Sequence, residues 1–196
     1  MAHSFEDQLA RFGHHYEEQI FGKPTVKPEF DRLAEALPED ENYSVRLRKL
    51  LELYGQNYLS DPTEPTGPAF NDLRLAVLDL LPVTPDEYDN LKAYSTIGVQ
   101  PIDYGMGVDA YFEFKDPKTG RTAYVTLDAS LNQDKLDSAI RADELISELP
   151  SPLEDESAYL EAVEKLAREI GTLLLKRAAP PPTAKPVNIV IVEKNK

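Results

Sequence analysis

Residues 107–131 read GVDAYFEFKDPKTGRTAYVTLDASL. Two runs rich in aromatic and β-branched residues flank Asp116-Pro117-Lys118-Thr119-Gly120, the pattern of a β-hairpin. Proline sets φ near about −65° early in the turn, and glycine accepts positive φ at its end. A PKTG loop sets Asp116 against Arg121. Counting back along both runs, Glu113 meets Tyr124 and Asp109 meets Asp128. A one-residue bulge would leave the two aspartates diagonal neighbours instead.

Side chains alternate along a strand. Val108, Ala110, Phe112 and Phe114 therefore share a face with Val125, Leu127, Ala129 and Leu131, and this is the expected core face. Asp109, Tyr111 and Glu113 share the other with Tyr124, Thr126, Asp128 and Ser130. Directly opposed carboxylates destabilise a sheet unless they share a proton or hold a divalent cation. The plain alternative is a solvated sheet face on which acids are ordinary surface. Gly105 and Gly107 just before Asp109 permit close backbone approach and favour a functional role.

Outside the hairpin, periodicity predicts helices over 4–21, 28–37, 43–59 and 69–81. Ser4 and Asp7 form a capping-box-like start for the first, with Phe5, Leu9, Phe12, Tyr16 and Ile20 on one side. DPTEPTGP, residues 61–68, is a loop. Thr84-Pro85-Asp86-Glu87 is a strong helix start, and that helix is expected to reach about Tyr94. A short strand is expected over 96–102. Helical pattern returns over 133–148 and 153–178, and VNIVIVE near the end, residues 187–193, suits a buried strand. The order predicts an α/β fold with a mixed four-stranded sheet flanked by helices. One domain spans 1–196, with a helical insertion or subdomain at 24–95 and a sheet-containing core at 96–193.

Composition limits the function. There is no cysteine, which removes thiolate metal sites and cysteine nucleophiles. No apolar run reaches membrane-helix length, and the first residues lack the pattern of a secretory signal, so a cytoplasmic location is the default expectation. Thirty-five acids against 21 bases leave a formal charge of −14. Contact with nucleic acid then needs local bases, a metal or a partner to supply positive charge. His14 and His15 point about 100° apart on a helix and read as surface residues. No serine lies in a G-x-S-x-G context, and Gly105-Met106-Gly107 precedes a strand instead of following one. Tyr43, Tyr54, Tyr58, Tyr88 and Tyr94 fall in predicted helices and read as packing. Lys176-Arg177 suits a helix C-terminus without a ligand.

GVDAYFEF, a hairpin turn and YVTLDASLN leading into a helix together resemble the PD-(D/E)XK nuclease superfamily, the restriction-endonuclease-like fold. The resemblance implies an α-β-β-β-α-β core. It also implies that Asp109 and Asp128 bind Mg2+ (or Mn2+), which would activate water against a phosphodiester. Gly13-His14-His15-Tyr16-Glu17 resembles the family's G-x-x-x-E pattern and points to Glu17 as a further catalytic and metal-binding acid. The family's lysine falls two residues beyond the third-strand acid, where this chain has Ser130; Lys135 is the nearest replacement. Two function classes follow. One is a metal-dependent nuclease or a catalytically degenerate relative acting on nucleic acid. The other is a non-enzymatic acidic interaction protein, a phage or mobile-element component that binds a protein partner or imitates DNA.

Overall fold

The computed structural model describes residues 15–38, 42–130, 142–147 and 149–181. Residues 15–21 are helical (α1). Three helices follow: α2 (Phe30–Glu35), α3 (Tyr43–Asn57) and α4 (Pro68–Leu78). A 3-10 helix, Pro85–Asn90, leads into β1 (Leu91–Ser95), the short α5 (Asp103–Met106), β2 (Ala110–Lys115) and β3 (Thr122–Ala129). Beyond residues 131–141 come β4 (Glu144–Ile146) and the long α6 (Glu156–Ala178). The strands form one mixed sheet in the order β1-β2-β3-β4. The first three are antiparallel, and β4 runs parallel to β3.

The hairpin has the register that its turn demands. Glu113 pairs with Tyr124, and Ala110 with Leu127. Asp116 closes the loop from both ends: its N–H donates to the Arg121 carbonyl (3.0 Å) and its carbonyl accepts from Gly120 (2.8 Å). Gly120 holds φ at +68°, a left-handed conformation that suits glycine.

Helices cover both faces of this sheet. On the first face, Ala93, Ala110, Phe112, Phe114, Val125 and Leu127 pack with Phe70, Leu73 and Val77 of α4 and with Val163, Ala167, Ile170 and Leu174 of α6. The spacing of those α6 residues gives the helix its apolar stripe. Asp155 caps it by accepting from the Ala158 N–H (2.9 Å), and Lys176 and Arg177 lie in its last turn. On the second face, Tyr94 and Tyr111 join Phe30 of α2, Leu50, Leu51 and Tyr54 of α3, and Ile102, Met106 and Val108. The stretch 24–95 thus supplies a helix to each side of the sheet together with the edge strand β1. Close packing at Gly67 helps to seat α4: a Cβ there would collide with the Ile20 carbonyl oxygen.

Several expectations are corrected. The helix expected from Thr84 to Tyr94 is a 3-10 helix followed by β1. Pro85 follows Thr84, whose N–H donates to Glu87 (2.9 Å), so the start signal is real. From Leu91 onward, however, alternating residues divide between the two cores, and pairing with β2 overrides the helical start. Residues 96–102 are not a strand: Gly98 at φ +75° turns the chain toward α5, and its N–H donates to the Asp103 carboxylate (2.6 Å). Val108 belongs to the second core, because the strand alternation begins only after Gly107 in its left-handed conformation. Within the helix expected over 133–148, Glu144–Ile146 is instead a strand laid parallel to β3. Leu131, residues 133–141 and Glu148 of that expected helix, and the strand expected at 187–193 lie outside the described residues, as do Ser4 to Phe12.

Candidate functional site

Asp109 sits one residue before β2. Its N–H donates to the Leu127 carbonyl (2.9 Å), and its carbonyl accepts from Thr96 N–H (2.8 Å). Its side chain crosses to β3, where Oδ2 accepts from the Ala129 N–H (2.8 Å). Asp128 lies near the end of β3, at the level of Leu145 in β4. Both aspartates are buried, at 4% and 7% exposure, and Asp128 lies close enough for its side chain to act on the Asp109 carboxyl.

Burial is the main reason that the Asp109 carboxyl is pushed up to about 9. The Ala129 N–H opposes the shift, while negative charge on Glu17 and Asp128 adds to it. Glu17 of α1 is therefore close enough for its charge to reach the pair. Hydrogen bonds anchor α1 at both ends of its described span: Tyr16 Oη accepts from the Leu149 N–H (2.9 Å), and the Gly22 carbonyl accepts from Ser95 (2.7 Å). Tyr104 of α5, which is exposed, feels Asp103 most strongly and then Glu17 and Asp109, which raises its phenol.

The other expected residues are placed as follows. Ser130 is buried, and its N–H donates to the Ile146 carbonyl (3.0 Å), joining the end of β3 to β4. Lys135, Gly13 and His14 lie outside the described residues. His15 is exposed and pairs with Gln19 along its helix (3.1 Å). Tyr54 is buried as expected for packing, whereas Tyr94 packs from a strand. Arg177 does more than suit a helix end: it makes a two-pronged ion pair with Asp143 (2.6 and 2.7 Å). Asp143 also accepts from Thr126 N–H (2.9 Å), so the pair ties α6, β3 and the start of β4 together.

The described residues contain no group of three or more histidine, aspartate and glutamate side chains arranged around a metal. The site they do offer is a carboxylate pair. Magnesium is commonly held by one or two carboxylates, with water and substrate phosphate completing its shell. The two buried carboxyl groups offer only oxygen donors, the kind such a cation takes. A divalent cation there would relieve the clustering of negative charge.

A cleft of about 350 Å³ opens on the same side of β3. It is lined by Tyr43 and Arg48 of α3, by Arg121, Tyr124 and Thr126, by Asp143 and by Arg177. Sequence reading missed it, because its arginines come from three distant segments and no local pattern links them. Comparison with family models, curated proteins and solved structures finds no match.

Proposed function

We propose that the chain is a metal-dependent nuclease of the PD-(D/E)XK kind. The observation that carries this reading is the buried Asp109–Asp128 pair with Glu17 in electrostatic reach. A buried acid cluster is unfavourable for the fold, and such costs concentrate at functional sites. Asp109 and Asp128 would hold Mg2+ or Mn2+. When bound, the ion would lower the pKa of a water molecule and offset charge on a phosphodiester. The protein's own part is to orient the carboxyl groups. The Ala129 N–H fixes Asp109, and the pairing of β3 with β4 fixes the strand that carries Asp128. Glu17 adds negative charge beside the pair, and Lys135 is proposed for the family's lysine role.

Calorimetric titration of Mn2+ or Mg2+ tests this. The wild type should bind the ion and cut single- or double-stranded DNA, and Asp128→Ala should do neither. Absence of metal binding by the wild type would sink the proposal. The charge of −14 favours a second reading, a non-enzymatic acidic partner of a basic protein or a DNA mimic. That reading expects no heat with metal and salt-sensitive capture of a basic DNA-binding protein.

A further inference from the structure

We infer that the cleft between α3 and β3 is the track for a single-stranded polynucleotide whose neighbouring phosphate lies at the Asp109–Asp128 pair. The inference rests on the nuclease reading and names the form of its substrate. Thr126 lines the cleft, and Asp128 is two residues further along the same face of the same strand. That step is about 6.6 Å, close enough for adjacent nucleotides to occupy the two places.

Charge supports the assignment. The lining holds three guanidinium groups, from Arg48, Arg121 and Arg177, against one carboxylate, Asp143. This is local positive character in a chain of net charge −14. Arg177 is already bound to Asp143 and gives the wall a fixed cation. Arg48 pairs with Glu52, a half-exposed neighbour one helical turn away. Such surface pairs contribute little, so Arg48 can turn to a phosphate at small cost. Arg121 is exposed at the mouth of the hairpin.

Shape separates a single strand from a duplex. A volume of about 350 Å³ matches a small ligand or one nucleotide. Tyr43 is 37% exposed and is anchored by its hydroxyl on the Met106 carbonyl (3.0 Å). Together with the half-buried Tyr124 it puts aromatic side chains in the cleft lining. Arginines beside stacking aromatics are the common recipe for binding single strands without reading their sequence.

The test is fluorescence anisotropy in EDTA at low salt, using labelled oligothymidylate, labelled oligouridylate and a labelled DNA duplex. The wild type should bind at least one single strand about tenfold more tightly than the duplex. The two oligomers distinguish DNA from RNA as the source. Arg48→Ala combined with Arg121→Ala, with its fold checked by circular dichroism, should weaken that binding about tenfold and flatten its salt dependence. Tighter duplex binding, or wild-type affinity in the double arginine variant, overturns the inference. If the wild type cuts DNA with Mn2+ while the arginine variant binds normally, only the cleft assignment fails. If arginine-dependent binding occurs without cleavage in any metal, the cleft stands and the nuclease reading fails.

Discussion

On one face of the β2–β3 hairpin, Ala110, Phe112, Phe114, Val125 and Leu127 meet α4 and α6 through hydrocarbon alone. On the other face, Tyr111, Thr126 and Asp128 alternate with them, and each carries a hydroxyl or a carboxyl group. All of these residues are buried. The first face gains stability in proportion to apolar area removed from water. The second must find a partner for every polar atom: Tyr111 donates to the Leu51 carbonyl (3.0 Å), Tyr54 to the Ser95 carbonyl (2.6 Å), and Thr126 bonds Asp143 (3.0 Å). One hairpin therefore separates two kinds of burial by side-chain parity. Even-numbered residues of β2 and odd-numbered residues of β3 face the hydrocarbon core, and Tyr111, Thr126 and Asp128 are buried with their polar groups on the opposite face.

The largest effect should come from breaking the hydrocarbon side. Phe112 is fully buried and meets Phe70 edge to face at 5.2 Å. Phe112→Ala should cost about 3–5 kcal/mol in urea unfolding, a fall in Tm of roughly 6–20 °C. A loss no greater than that of an exposed-site control would show that this face is not the main source of stability.

Asp109→Asn should move stability the other way. The Asp109 carboxyl stands at about 9 in the fold against an ordinary value of 3.8. Its protonated form supports the fold below a pH of about 4, and that contribution is lost as the pH climbs toward about 9. Asparagine stays neutral throughout. At pH 8 the variant should be more stable than the metal-free wild type by about 2 kcal/mol or more, with the gap closing near pH 4. Added Mn2+ should raise the wild-type Tm at pH 8 and leave the variant unmoved. A variant less stable than the wild type at pH 8 would contradict the account of a strained carboxyl pair.

Tyr111→Phe sharpens the comparison at the smallest scale. It keeps the ring stacked on Tyr94 at 4.7 Å and deletes the bond to Leu51. The expected loss is about 1 kcal/mol in the same unfolding assay. No loss would mean that the tyrosine layer contributes through its rings alone.

Much of this is legible in the amino-acid sequence. The DPKTG turn announced its own register, and strict alternation separated Phe112 from Asp109. The long helix α6 with its terminal Lys176-Arg177 reads from spacing alone, whereas its Asp155 cap emerged only in the structure. β1 was hidden because Thr84-Pro85 gives a convincing helix start six residues before pairing with β2 takes over. β4 has only three residues, too few to show a period, and the backbone of β3 supplies its partners. The arginine-lined cleft left no trace in any single segment.

The sequence by itself determined the neighbourhood of Asp109 and Asp128, because turn chemistry and two-residue periodicity act over a few bonds. It left open whether their face met water or protein. The tertiary structure decided that by laying helices over the tyrosine face and bringing Glu17 in from α1. Burial is a sum over distant segments, and burial is what pushes the Asp109 carboxyl up beside Asp128.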